Sequence, residues 1–154
     1  MASTTDHTIF LSSNAGYDGV GNRIQEDYGS GTIYPGYLLE IDTNEYVTAH
    51  ATGTGPHYRM IALENPYDDD NSTAAIDSPY LTADTVRFIY ALPGEVYYMY
   101  LATGTAVKGR SLLCSNGDGT LRVSTTGSAD LSVVGVPDED VTCATDTRLR
   151  VRIL

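Results

Sequence analysis

Short runs of apolar and aromatic residues, cut by turn-forming pairs, recur along most of this chain and predict strands rather than helices. Tyr37 to Ile41 and Tyr46 to His50 are two such runs, joined by Asp42-Thr43-Asn44 in a hairpin pattern. Tyr58 to Leu63 is a third. Val86 to Ala91 and Val96 to Leu101 flank Pro93-Gly94 and make the most convincing hairpin pair, since proline presets φ and glycine accepts the positive φ of a tight turn. Leu112 to Cys114 and Leu121 to Val123 bracket Asn116-Gly117-Asp118-Gly119, and Leu131 to Val136 precedes the final run, Arg148 to Ile153. The pattern amounts to about eight strands.

In the final run Leu149, Val151 and Ile153 alternate with Arg148, Arg150 and Arg152. Side chains on a strand point alternately to its two faces, so this is a half-buried strand whose charged face meets solvent or acidic groups. No window sustains a 3.6-residue period with caps, so helix is expected below about 15%. A single helical turn has room near Ile76 to Leu81 or Ala102 to Lys108. The fold class predicted is all-β, a small sandwich or open barrel over residues 34–154.

Residues 1–33 follow a different pattern. Glycines punctuate a polar stretch whose apolar residues come singly, too few to bury a core of their own. The segment is expected to be an extended N-terminal arm that adds a strand to a neighbour's sheet edge. Phe10, Tyr17, Ile24 and Tyr28 would be its anchors. A second irregular stretch, Asn65 to about Pro79, is longer than an ordinary connection and places Tyr67 in a surface loop with a contact role.

Composition narrows the function. Twelve tyrosines stand against two phenylalanines and no tryptophan, and an amphipathic ring suits a surface offered to a partner. The net charge of -11, with Lys108 the sole lysine, keeps the chain soluble and argues against nucleic acid, which needs a basic stripe. Three arginines on one strand are too few. Met1 to Thr8 is polar and carries no signal-peptide pattern. No apolar run approaches the roughly 20 residues of a membrane span. Cys114 and Cys143 make no disulfide framework and are expected as free thiols.

Candidate chemistry is sparse. Gly53-Thr54-Gly55-Pro56-His57-Tyr58 lacks a third glycine and precedes a strand, so it is a loop rather than a phosphate cradle. Asp68-Asp69-Asp70-Asn71, Asp118 and Asp138-Glu139-Asp140 lack calcium-loop spacing and are expected to be solvated. His7, His50 and His57 show no zinc spacing, and no serine or cysteine sits in a nucleophile elbow. No catalytic residue, metal or cofactor is expected.

The order of several segments nevertheless resembles a known family. The segments are Pro35-Gly36-Tyr37-Leu38-Leu39-Glu40, Ala49-His50-Ala51-Thr52-Gly53, Met60 to Asn65, Ile76-Asp77-Ser78-Pro79-Tyr80 and Ala83-Asp84-Thr85-Val86. Pro93 to Tyr97, Gly109 to Leu113, Ser115 to Leu121 and the arginine-alternating end follow. This succession resembles the decoration (cement) proteins that coat the heads of tailed bacteriophages. The resemblance implies a β-tulip-like barrel, commonly a homotrimer, on the outer surface of the expanded head. Made in the host cytoplasm and carried on the virion, it would bridge neighbouring major capsid protein subunits. Phe10, Tyr17, Ile24, Tyr28, Tyr67, Arg148, Arg150 and Arg152 are the expected contacts. The alternative is a small carbohydrate-binding β-barrel on a phage head or tail, using exposed tyrosines as sugar platforms.

Overall fold

The computed structural model of the chain describes residues 9–12, 23–53, 55–67, 73–125 and 133–154. Among the described residues the structure is essentially all-β, with almost no helix, so the all-β expectation holds. In chain order the strands are β1 (Phe10–Ser12), β2 (Ile24–Tyr28), β3 (Leu38–Ile41), β4 (Val47–Ala49), β5 (Met60–Ala62) and β6 (Thr85–Tyr90). They continue with β7 (Val96–Leu101), β8 (Gly104–Ala106), β9 (Leu113–Ser115), β10 (Leu121–Val123), β11 (Val133–Pro137), β12 (Val141–Cys143) and β13 (Thr147–Ile153). Of the two segments with room for a helical turn, Ile76 to Leu81 begins in an ordinary turn. The other contains β8, which pairs with β12 from Val141↔Ala106 to Cys143↔Gly104. Tertiary pairing decided that segment.

One sheet closes into a five-stranded barrel. Its long seam is β7 against β13, antiparallel from Arg152↔Val96 to Thr147↔Leu101. The opposite edge of β7 is shared. β1 pairs with its start at Phe10↔Tyr97, and β10 pairs in parallel with its end at Leu121↔Leu101. The ring returns through β9 and β11 to β13. Closure leaves few free edge groups, which protects a β protein from edge-to-edge association.

The second sheet has the order β2-β6-β5-β3-β4, antiparallel throughout. Beyond β2, a parallel bridge joins Gly29 to Val47, so the two outer strands meet at one end. The middle of this sheet, around β5, buries side chains on both faces, whereas β2 is largely exposed. Leu38, Ile61 and Ile89 join the core of the first barrel, whereas Leu39, Met60, Ala62, Val86 and Phe88 enclose a second core with Ile33 and Tyr80. Double burial explains why Leu38-Leu39 and β5 are continuous apolar runs while β13 alternates.

The two layers are stitched through backbone. The Leu38 amide donates to Gly119 O at 2.8 Å, and the Gly119 amide to His50 O at 3.2 Å. Gly119 has φ +87, and a Cβ there would lie 2.5 Å from the Tyr37 ring. Gly36, at φ +93, would push a Cβ to 2.6 Å from Tyr98 O. Both positions need glycine for the approach as well as the turn.

The expected arm over residues 1–33 requires correction in its described parts. Ile9 is wholly buried, donates its amide to Glu64 Oε1 at 2.5 Å and accepts from Tyr98 N at 2.7 Å. β2 pairs with β6 along five residues, from Ile24↔Ile89 to Tyr28↔Thr85. Ile33 is buried opposite Tyr80. Singly spaced apolar residues cannot build a core, but they complete one supplied by later strands. Residue 33 is therefore no boundary among the described residues.

Candidate interaction surface

The arginine face of β13 meets acidic groups of its own chain. Arg148, 9% exposed, lies 2.5 Å from Asp77, donates to the carbonyls of Pro35 (3.2 Å) and Ile76, and stacks 4.4 Å from the centre of the Tyr100 ring. Tyr34, Tyr37 and Tyr100 pack edge-on or tilted around this point, with centroids 5.5 to 6.4 Å apart. Burial, aided by nearby carboxylates, pushes the Tyr37 hydroxyl up to about 12. Burial also raises Tyr100, against the opposing pull of Arg148. Arg152 lies 3.2 Å from Asp138 and donates to Gly94 O, while the Arg150 amide donates to Glu139 Oε1 at 2.8 Å. Arg148 is thus an internal clamp, where sequence reasoning placed a contact residue. Its carboxylate is Asp77; the Asp68 to Asp70 run lies outside the described residues.

The expected anchors of the N-terminal segment divide as well. Phe10 and Ile24 pack partly buried against the first core, Phe10 with its ring 5.3 Å from Tyr97. Arg23 holds the same region by pairing with Glu95, which also accepts from Tyr97 Oη at 2.7 Å and Leu92 N at 2.8 Å. Burial works against the Glu95 carboxylate, but these donors outweigh it and its pKa falls. Burial and the neighbouring Glu95 raise Tyr97. Tyr17, like His7, lies outside the described residues. Tyr28 and Tyr67 remain, and both are exposed.

These two tyrosines belong to one surface on the outer face of the β2–β6 pair. Glu26 stands opposite Arg87 and Tyr28 opposite Thr85. Arg87 Nε approaches Glu26 Oε1 at 3.6 Å, and the Tyr67 hydroxyl donates to the same oxygen at 2.6 Å. That bond raises the Tyr67 pKa. Asn65 pins the loop from within: Oδ1 accepts the Tyr67 amide and Nδ2 donates to Pro79 O, each at 3.1 Å. Below, the buried Tyr80 hydroxyl donates to Leu63 O and Glu64 O. Asp84 Oδ2 accepts the Leu81 amide at 2.6 Å, closing the turn that carries Leu81 outward.

Three clefts run together here. The largest, about 550 Å³, is lined by Glu26, Tyr67, Leu81 and Asp84 among others. A second, about 370 Å³, is lined by Tyr28 and Tyr46. A third, about 270 Å³, shares Glu26 and Thr85 with the first and Tyr28 with the second. Tyr28, Tyr46, Tyr67 and Leu81 are 59%, 45%, 55% and 56% exposed. Sequence reasoning missed Tyr46 and Leu81. Tyr46 looks like a strand residue, but Asp42 Oδ1 caps the amides of Asn44 and Tyr46, and Glu45 takes φ 66. That turn keeps Tyr46 outside β4.

A buried polar pair lies elsewhere. Ser115 Oγ is 2.7 Å from His50 Nδ1, and His50 Nε2 is 3.3 Å from Pro56 O and 3.7 Å from Glu40. The order serine–histidine–carboxylate is that of a hydrolytic triad. However, Ser115 and His50 have almost no exposed surface, and Ser115 Oγ also accepts the Gly117 amide at 3.1 Å. The pair holds the β9–β10 turn. His57 accepts the Arg59 amide at Nδ1 (3.1 Å), which leaves Nε2 to donate to Val133 O at 3.0 Å. Burial lowers its pKa. Cys114 and Cys143 are free thiols. Among the described residues, no three His, Cys, Asp or Glu side chains converge to hold a metal ion. Compared with known proteins, the sequence matches no family model and no curated protein.

Proposed function

We propose that the chain is a decoration subunit of a tailed-phage head, bound to the outer surface of the expanded shell as a homotrimer. It would bridge neighbouring major capsid protein subunits and oppose their separation under internal pressure. The observation that carries this reading is the surface around Tyr28, Tyr46, Tyr67 and Leu81. It holds four large side chains near half exposure on a rigid all-β scaffold. Contiguous exposed apolar surface rimmed by polar groups marks association with another macromolecule. Tyrosine supplies contact area at low entropic cost. Several modest contacts made together gain about 10²–10⁴-fold in avidity, which suits a subunit that staples a shell.

The test is to mix the purified chain with undecorated expanded heads. Saturable binding and a higher temperature of head disruption are expected; heads that neither bind it nor gain stability contradict the reading. A carbohydrate-binding module is the second reading, favoured by the paired tyrosines of the second cleft, on which a sugar ring could stack.

A further inference from the structure

Resting on that reading, we infer that the Tyr28–Tyr46–Tyr67 surface receives an arginine- or lysine-bearing segment of the protein partner. The rim of the clefts carries three carboxylates, Glu26, Asp27 and Asp84. One neighbouring cation, Arg87, already approaches Glu26. Both described contacts of Glu26 use Oε1. The whole chain carries -11. An acidic partner would meet this face with repulsion at every approach, whereas a cationic segment would be steered towards it.

Aromatic faces and carboxylates together make a site for a guanidinium or ammonium group. The ring quadrupole attracts the cation, and the carboxylate takes its N–H donors. Arginine suits such a site best, because its planar fork can stack and form hydrogen bonds at once. The molecule already holds one arginine this way. Arg148 lies over Tyr100 at 4.4 Å while pairing with Asp77 at 2.5 Å. The outer face presents the same two components, tyrosine rings and carboxylates, in the open. Docking a segment there would exclude water and strengthen both attractions.

Fluorescence anisotropy of the whole chain with labelled peptides tests this. The probes are an arginine–serine repeat, its glutamate–serine counterpart and a neutral cello-oligosaccharide. The arginine peptide should bind, and bind less as added salt shortens the Debye length. Replacing both Tyr28→Ala and Tyr46→Ala should weaken it about tenfold, the loss of a hot-spot contact. E26Q should weaken it about threefold. Y58A, at a tyrosine 79% exposed that lines a different cleft, should leave it unchanged. Circular dichroism and unchanged thermal midpoints would show that the variants fold.

No binding of the arginine peptide, equal binding of the glutamate peptide, or unchanged affinity in the double tyrosine variant would each overturn the inference. So would oligosaccharide binding lost in that variant while the arginine peptide still binds. Phage heads separate the two levels. If the double variant binds heads as well as the parent, this face is not the contact, though the decoration reading survives. If the parent takes the arginine peptide at this face but ignores heads, the decoration reading fails and the cation chemistry of the surface stands.

Discussion

Two groups of tyrosines on this chain have the same side chains and similar neighbours but opposite fates. Tyr37 and Tyr100, with Tyr34 at their edge, are drawn in around Arg148 and Asp77. Tyr28, Tyr46 and Tyr67 stand out beside Glu26, Asp27 and Asp84. The difference is how fully the chain's own cation is engaged. At the first group β13 delivers a guanidinium, and three backbone or side-chain acceptors hold it. At the second, among the described residues, Arg87 approaches Glu26 at 3.6 Å. A satisfied aromatic–acidic cluster becomes structure, and an incompletely satisfied one becomes a surface for something else.

The largest disturbance should come from removing residues 1–30, because that segment serves both groups. It takes Ile9 from the core beneath Gly36 and removes β2, on which Tyr28 stands. Loss of cooperative unfolding in urea is expected. A truncated chain that keeps its native near-ultraviolet circular dichroism would show that the segment is dispensable.

Next in size is Arg148→Ala, which removes a nearly buried guanidinium with its two carbonyl contacts and its stack on Tyr100, while its exposed partner Asp77 is left to solvent. The carbonyl contacts and the stack carry most of the loss, about 1–2 kcal/mol, because the exposed Asp77 is hydrated once its partner is gone, so the urea midpoint should fall. A change near zero would mean that the inner cluster is no more committed than the outer one.

A smaller, pH-dependent effect tests a third polar site, His57. Its pKa is lowered in the folded chain by burial, below the ordinary 6.5. The unfolded chain therefore takes the extra proton first as pH falls. Stability should be level above about pH 6.5 and decline below it until the folded group also titrates. Urea midpoints measured from about pH 7.5 to about pH 5 would check this, and H57Q should flatten its share of the slope. A decline unchanged in H57Q would assign it to other groups.

The smallest effect on stability is expected from Tyr28→Ala and Tyr46→Ala. Exposed substitutions away from buried features usually change stability by no more than about 0.5 kcal/mol. If either cost as much as Arg148→Ala, the outer tyrosines would be structural and the comparison would collapse.

The sequence by itself determined the class of fold and two of its hairpins. Asp42 to Asn44 does join β3 to β4 and Asn116 to Gly119 does join β9 to β10 as paired strands. Pro93-Gly94, the expected turn of a β6–β7 hairpin, instead carries the chain from one sheet to the other, with β6 paired to β2 and β5 and β7 to β1, β10 and β13. The alternation of Leu149, Val151 and Ile153 with arginines does mark a strand with one wholly buried face. These features are local, written in period and turn chemistry within a few residues.

Tertiary structure decided what each buried face meets. Ile9, Ile24 and Ile33 look isolated in the sequence because their neighbours in the two cores lie dozens of residues away. Arg148 looks like a surface charge because Asp77 and Pro35, which enclose it, are 71 and 113 positions distant. The outer surface was legible only through Tyr28 and Tyr67, since Tyr46 and Leu81 join them through turns whose orientation no periodicity encodes. Period and turn residues specify that a side chain must be covered or left out, but long-range pairing alone specifies what covers it.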